Sequence, residues 1–141
     1  MNLAMAYYGT LFWMAVIILT VLVQAMIAGR AKAMQSDAIP GQPPREMSHH
    51  NFVFRAWRTH QNSLENLSPM LGSIVLAILV AAPPFWVMIL TAVMAVSRII
   101  HMLLYYQIAT EKNPSPRSYF FLIAYLANVA LVILALVSLL A

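Results

Sequence analysis

The chain has 141 residues, of which 62% are hydrophobic and 9% are charged, and its mean hydropathy is +0.80. This composition excludes an ordinary soluble domain and predicts an integral membrane protein that forms a single domain. The chain has eight Lys and Arg residues and four Asp and Glu residues. Membrane topology explains this excess of positive charge better than nucleic-acid binding does. The sequence contains no cysteine, which excludes disulfides and a thiol nucleophile supplied by the protein.

Four apolar segments are each long enough to cross a hydrocarbon core, which requires about 20 residues. They predict an all-α bundle of four transmembrane helices with bounds of about 3–28, 56–82, 85–109 and 117–140. The first segment is interpreted as a retained helix and not as a signal peptide, because no basic region precedes its apolar stretch. Tyr125 and Asn128 are the deeper polar groups of the fourth segment, where hydrogen bonds to neighbouring helices are expected.

Within the first loop, residues 29–55, the polar stretch 33–54 is predicted to be irregular, because prolines and glycine occur there at a density that prevents a helix. Within it, His49 and His50 are adjacent and lack the spacing of metal ligands. We therefore interpret both as solvated loop histidines and predict no metal site.

Basic residues flank the first and third loops, whereas the connection between the second and third segments has none. They are Arg30, Lys32, Arg45, Arg55 and Arg58 around the first loop, and Lys112 and Arg117 around the third. Because positive charge accumulates on the cytoplasmic side, these two loops are predicted to be cytoplasmic, with both termini on the opposite side. A bacterial inner membrane or the endoplasmic reticulum would suit this multi-pass topology.

Polar side chains form stripes on two of the predicted helices. Arg58, Asn62 and Glu65 fall on one face of the second helix, at steps of four and seven residues. The third helix carries a similar stripe of Arg98, His101 and Tyr105. Charges inside a membrane segment are costly, so both stripes are expected to face the bundle interior or a wet cavity.

The topology brings the polar ends of the four segments to the same depth. Nine residues are expected to converge there: Arg30, Arg58, Asn62, Glu65, Arg98, His101, Tyr105, Arg117 and Ser118. The predicted site is a basic pocket that is open to the cytosol, with Glu65 as a buried carboxylate at its base. Arginines and a single carboxylate suit a small zwitterion of net negative charge, whose carboxylates would bind guanidinium groups. An apolar co-substrate could enter the same site from the bilayer.

Three motifs of this sequence resemble those of the MAPEG family, the membrane-associated proteins of eicosanoid and glutathione metabolism. The second-helix signature is Arg58-x-His60-x-Asn62-x-x-Glu65-Asn66-x-x-Pro69. The other two are Arg98-x-x-His101-x-x-x-Tyr105 in the third helix and Pro116-Arg117-Ser118 at the entry to the fourth. The resemblance covers nearly the whole chain in length, helix count and motif order.

This resemblance implies a homotrimer that binds glutathione in its cytosolic half, between neighbouring subunits. The residues expected to bind glutathione, which is the co-substrate, are Arg30, Arg58, His60, Asn62, Glu65, Arg98, His101 and Tyr105. Arg117 would hold the thiolate, with Ser118 beside it, as the catalytic pair. A guanidinium is suited to this role because a free thiol, with a pKa of about 8.5, is mostly protonated at neutral pH.

The sequence departs from the family pattern at three positions. Ser63 stands where many members have Asp, Gln61 where the prostaglandin E synthase has Arg, and Phe121 where some members have Tyr. These departures argue against an eicosanoid substrate, and Gln61 removes a cation from the predicted site.

We therefore expect a membrane glutathione transferase that conjugates glutathione to lipophilic electrophiles, with glutathione peroxidase activity toward lipid hydroperoxides as a second activity. One alternative is a non-catalytic, lipid-binding scaffold protein of the same family. Another is a small four-helix exporter that uses Glu65 as its membrane-buried carboxylate. A purely structural role for the polar residues, in holding the helices together, is the last alternative.

Overall fold

The structure, a computed structural model, describes residues 2–141. Over that range the chain is helical and has no strand, as the sequence predicts. Its helices are α1 (Leu3–Ala6), α2 (Tyr8–Ala33), α3 (Phe52–Leu79), α4 (Pro84–Gln107) and α5 (Pro116–Leu140). The four long helices, α2 to α5, correspond to the four predicted segments.

The first predicted segment differs from the structure at both ends. A break at Tyr7 separates the short α1 from α2. The buried Tyr7 side chain donates a hydrogen bond of 2.5 Å to the carbonyl of Ala82. At the other end α2 continues to Ala33 and not to residue 28. Arg30 and Lys32 lie in its last turn, where positive charge is favourable against the helix dipole.

The irregular part of the first loop is shorter than predicted, because α3 begins at Phe52. Asn51 caps this helix, and its Oδ1 accepts a hydrogen bond of 2.8 Å from the amide of Val53. The remaining boundaries lie within three residues of the prediction. Proline occupies the first turn of both α4 and α5, where its missing N–H leaves no intrahelical hydrogen bond unmade.

Three helices, α2, α4 and α5, are long and apolar enough to cross a membrane. The fourth, α3, has 28 residues and is therefore long enough, but its first half carries the polar stripe of the predicted site. Its length and position in the bundle allow it to span the membrane only if those polar groups are kept from lipid by other parts of the protein.

The two ends of the bundle differ in chemistry. One end holds the apolar core, in which Ile74, Val87, Met94 and Leu131 are fully buried or nearly so. Small residues such as Ala77, Ala95, Ala127 and Ala135 in that core allow close helix packing. The opposite end contains the first and third loops, the start of α3, the end of α4 and the start of α5, and it holds most of the polar side chains.

Asn128 has the role predicted for it and links two helices. The Ser73 hydroxyl on α3 donates a hydrogen bond of 2.5 Å to Asn128 Oδ1 on α5. Tyr125 does not follow the prediction, because its side chain is 52% exposed and its ring stacks on that of Phe121 with 6.4 Å between centroids. No hydrogen bond from its hydroxyl to another helix is found within residues 2–141, although Tyr125 lines a small cavity with residues of α3.

Candidate functional site

A cleft of about 210 Å³ opens at the polar end of the bundle. Side chains of α3, α4 and α5 line it: Arg58, Asn62, His101, Tyr105, Arg117, Ser118 and Phe121. All of these except Phe121 are residues that the sequence predicts for the site. The antiparallel order of the helices brings them together, since the start of α3 and of α5 lies beside the end of α4.

Arg117 contributes a cation to the lining of the cleft. Its guanidinium carbon lies 4.0 Å from the centroid of the Tyr105 ring, a cation–π contact. Nη2 donates to the carbonyl of Thr110 at 3.3 Å, whereas Nη1 is buried and has no hydrogen-bond partner within residues 2–141. The residue also belongs to the first turn of α5, where unpaired backbone N–H groups add to the positive potential. The cleft can therefore stabilise an anion beside Arg117.

Asn62 is held in one orientation by a buried arginine. Arg98, which is 5% exposed, donates from Nη2 to Asn62 Oδ1 at 2.8 Å and to the Ser63 hydroxyl at 2.8 Å. Because Arg98 is only a donor, its partner atom on Asn62 must be the oxygen. The amide nitrogen of Asn62 is then left as a hydrogen-bond donor for the cleft. Arg98 itself does not line the cleft.

Glu65 is not the buried carboxylate that the sequence predicts. Its side chain is 57% exposed in the single chain and pairs with Arg58 at 2.9 Å and 3.4 Å. On the stripe that carries both residues, Asn62 contacts α4 through Arg98, whereas Glu65 lies about 60° from Asn62 around α3 and most of its side chain is uncovered. Arg58 still lines the cleft, so the ion pair lies at its edge.

His101 forms part of the floor of the cleft. It is 3% exposed, and its ring packs edge-on against Tyr105 with 5.6 Å between centroids and lies 6.4 Å from Phe121. Its Nδ1 is buried without a hydrogen-bond partner in the described part of the chain.

Ser118 combines a position in the cleft with a structural role. Its hydroxyl accepts a hydrogen bond of 3.2 Å from the amide of Ser115 and lies 3.1 Å from the Ser115 hydroxyl. The two serines form the capping box of α5. Any part that Ser118 plays in catalysis is therefore combined with fixing the helix terminus that presents Arg117.

Besides Glu65 and Arg98, two more predicted site residues do not line the cleft of this chain. Arg30 is exposed and lines a separate groove of about 440 Å³ with Met34 and Phe52. His60 lies on α3 outside the cleft, half-buried, with Nδ1 unpaired among residues 2–141. Helix periodicity places His60 about 160° from Asn62 on the opposite side of α3, which is why the motif alone could not orient it.

His49 is part of the site, although the sequence analysis interprets it as a solvated residue. That interpretation is wrong, because the ring is half-buried and lies 5.1 Å from Phe54 and 5.7 Å from Tyr105 between centroids. Its Nδ1 lies 3.5 Å from Nη2 of Arg117. Burial lowers the pKa of His49, and the Arg117 charge adds to this effect. No local spacing rule could reveal the contact, since the two residues are 68 positions apart.

Arg55 fastens the loop segment that carries His49. Its Nη1 donates to the carbonyls of His49 at 2.7 Å and His50 at 3.1 Å, and its Nη2 donates to the carbonyl of Tyr106 at 3.3 Å. The guanidinium of this buried residue therefore ties the first loop to the end of α4. The sequence analysis interprets Arg55 only as a topology signal.

A smaller cavity of about 70 Å³ adjoins the cleft through Phe121, which lines both. Its walls combine apolar side chains with amides: Pro69, Met70, Ala124 and Tyr125 with Asn66 and Asn128, and Arg98 also reaches it. This cavity lies further from the polar end than the cleft does. In residues 2–141 no group of three His, Cys, Asp or Glu side chains could hold a metal ion.

The comparisons with known proteins give one match. The family model of the MAPEG family matches residues 10–137. The chain belongs to the MAPEG family. Neither the curated proteins nor the solved structures gave a significant match.

Membership of the MAPEG family agrees with the predicted resemblance and with the three helices that are apolar enough to span a membrane. The chain is therefore an integral membrane protein of a family associated with glutathione. The matched range includes each residue that lines the cleft. Because MAPEG proteins include both glutathione transferases and non-catalytic members, membership alone does not assign an activity.

Proposed function

We propose that this MAPEG protein is a membrane glutathione transferase that conjugates glutathione to lipophilic electrophiles. The observation that carries the proposal is the placement of Arg117. Its side chain lines the cleft, and its guanidinium stacks on the ring of Tyr105. A guanidinium in the lining of the cleft can stabilise a bound thiolate by its positive charge.

The donor set of the cleft suits glutathione. Glutathione has two carboxylates, one ammonium group and a thiol, and so its net charge at neutral pH is negative. Arg58 and the amide nitrogen of Asn62 can donate to its carboxylates, and Glu65 at the edge of the cleft can accept from its ammonium group. His101 and the hydroxyl of Tyr105 supply further polar contacts around its backbone.

Arg117 and the first turn of α5 would lower the pKa of the bound thiol, because positive charge favours the thiolate over the thiol. The thiolate sulfur then attacks the electrophilic carbon of the second substrate. A new S–C bond forms, and the leaving group departs with its bonding electrons. The thiol proton is released to water, which reaches the open cleft.

The smaller cavity beyond Phe121 provides a place for a lipophilic co-substrate that enters from the bilayer. Its mixed lining of apolar side chains and amides would accept a hydrocarbon with a polar end. A lipid hydroperoxide fits this description, and we propose glutathione peroxidase activity as the second reaction of the site. There the thiolate attacks the terminal oxygen and the O–O bond breaks, which leaves a sulfenic acid on the first glutathione and an alkoxide that takes a proton from water to become the lipid alcohol. The thiol of a second glutathione then attacks the sulfenic sulfur, which forms the disulfide and releases water.

Assembly as a homotrimer would explain two exposed groups. Arg30 lies outside the cleft of its own chain, and Glu65, which pairs with Arg58 at the edge of the cleft, is 57% exposed. We propose that glutathione binds between subunits, so that Arg30 of one subunit reaches the cleft of the next. Charged groups at membrane depth would then be covered by protein and kept from lipid.

A complementation experiment tests this arrangement. Subunits with Arg30→Ala and subunits with Arg117→Ala are each expected to be inactive alone. Mixed oligomers should regain activity, because one type of interface then contains both wild-type arginines. Failure of the mixed oligomers to regain activity would place Arg30 outside the site.

The membrane topology in this proposal follows the charge distribution. The first and third loops, together with the cleft, would face the cytoplasm, and both termini would lie on the other side. The membrane would be a bacterial inner membrane or the endoplasmic reticulum. A cytoplasmic cleft has direct access to glutathione, which is a cytosolic compound.

The proposal is tested by calorimetric titration of detergent-solubilised protein with glutathione, followed by an assay of conjugation to an electrophilic nitroaromatic. Arg117→Ala should remove most of the activity and leave glutathione affinity partly intact. Lys112→Ala is the matched control, because Lys112 is an exposed cation of the third loop and does not line the cleft.

The rival functions predict different results. A lipid-binding scaffold or an exporter would give no heat with glutathione and no conjugate. Binding without turnover would indicate a non-catalytic member of the family. Unchanged turnover of Arg117→Ala would refute the role assigned to this residue.

A further inference from the structure

His49 is held in place from several sides. Its ring packs against Phe54 of α3 and Tyr105 of α4, with 5.1 Å and 5.7 Å between centroids. Arg55 holds its backbone carbonyl through a hydrogen bond of 2.7 Å. Such a ring is a fixed part of the structure around Arg117.

His49 does not line the cleft, and its contact with the site passes through Arg117. Nδ1 lies 3.5 Å from Nη2 of Arg117, a distance at which a long hydrogen bond can form if Nδ1 carries no proton. The guanidinium is a donor only, so the favourable form of His49 is the neutral tautomer with its proton on Nε2. Together with the Tyr105 ring and the Thr110 carbonyl, His49 limits the orientations open to Arg117.

We propose that neutral His49 is a positioning residue, which accepts a hydrogen bond from Arg117 and directs the free face of the guanidinium toward the thiolate in the cleft. This inference rests on the proposed glutathione transferase function. The sulfur would contact Arg117, whereas His49 would act through Arg117 without touching the substrate.

The charges around His49 favour the neutral form at neutral pH. The groups that face it are Arg117 on α5, Arg55 on α3, Tyr105 on α4, His50 in the same loop and Glu111 in the third loop. Burial, Arg117, Arg55 and His50 lower the pKa of His49, and Glu111 opposes them. Protonation would remove the acceptor and set two cations against each other, so acidification is expected to release Arg117.

The experiment compares three variants of the full-length protein in detergent. The ultraviolet absorbance of the glutathione thiolate reports the pKa of the bound thiol, and calorimetry reports glutathione affinity. In His49→Ala, we expect the thiolate fraction at neutral pH and kcat to fall by roughly tenfold, equivalent to about one unit in the thiol pKa. Glutathione affinity should change by less than about threefold, because the carboxylate-binding groups are untouched.

His49→Asn restores an acceptor without a titratable group. Its side-chain oxygen can accept from Arg117, and so the thiolate fraction should return toward the wild-type value. Its activity should decline less on acidification than that of the wild type, because the protonation of His49 no longer contributes. His50→Ala is the control, since the adjacent side chain is exposed and should leave the thiolate fraction, kcat and glutathione affinity at neutral pH unchanged.

The possible outcomes separate this inference from the proposed function. If the wild-type protein binds no glutathione or forms no thiolate, the proposed function fails first. If the wild type forms the thiolate and His49→Ala has the same thiol pKa and kcat, His49 does not position Arg117. Equal loss in His49→Ala and His49→Asn would likewise overturn the role of the acceptor atom.

Discussion

Arg98 Nη2 donates a hydrogen bond of 2.8 Å to Asn62 Oδ1, which connects α4 to α3 across 36 positions of the sequence. Arg98 is nearly fully buried, whereas Asn62 lines the cleft. The arginine therefore decides which end of the Asn62 amide faces a ligand. Arg98 thus orients a residue of the cleft without lining the cleft itself.

The first prediction concerns the amide of Asn62. Asn62→Asp keeps an acceptor for Arg98 but removes the N–H donor and adds a negative charge at the cleft. We expect the dissociation constant of glutathione to rise about 10- to 100-fold, as for a lost hydrogen bond to a charged group. The thermal unfolding temperature should not fall, because Arg98 gains a carboxylate partner.

Ser63→Asp is the matched control for this prediction. It adds the same charge one position further, beside the same arginine, at a residue that does not line the cleft. Glutathione affinity should stay near the wild-type value. Equal losses of affinity in both variants would mean that Asn62 does not donate to glutathione.

The second prediction separates the ring of Tyr105 from its hydroxyl. Tyr105→Phe retains the aromatic face under Arg117, and so turnover should stay within about threefold of the wild type while glutathione affinity falls modestly. Tyr105→Leu removes the cation–π contact as well, and kcat should fall by about tenfold or more. Steady-state kinetics with varied glutathione measures both effects. Similar kcat values for the two variants would argue against a role for the ring.

The third prediction tests the double role of Ser118. Ser118→Ala and Ser115→Ala each break the capping box of α5 and should lower the free energy of unfolding by about 1 kcal/mol. Only Ser118 lines the cleft. If the capping role dominates, the two variants will show the same small loss of turnover. A much larger loss in Ser118→Ala would instead indicate that its hydroxyl takes part in the chemistry.

The fourth prediction concerns Glu65. An exposed ion pair contributes only about 0 to 1 kcal/mol, and so Glu65→Gln should change the unfolding temperature little in detergent. If Glu65 binds the ammonium group, glutathione affinity should fall about tenfold, whereas affinity for an analogue without the α-amino group should not change. Calorimetry with both ligands measures this difference. An equal fall for both ligands would remove Glu65 from the ammonium site.

The sequence by itself determined the helices and much of the cleft. Composition set the membrane class, because apolar segments of sufficient length have few alternatives to spanning a bilayer. Helical periodicity and the antiparallel order of the segments then brought Asn62, His101, Tyr105 and Arg117 toward one end. The resemblance to the MAPEG family added glutathione as the expected ligand, because the geometry of a single chain does not identify a ligand.

Only the tertiary structure decided the positions that depend on contacts between distant segments. His49 contacts Arg117 across 68 positions, and the loop between them follows no period that could predict its path. The sequence also could not predict that Glu65 is exposed. Periodicity shows which residues share a face of α3, but it does not show which part of that face another helix covers. Packing chooses among these arrangements, since burial and hydrogen bonding are properties of the assembled bundle and not of any one helix.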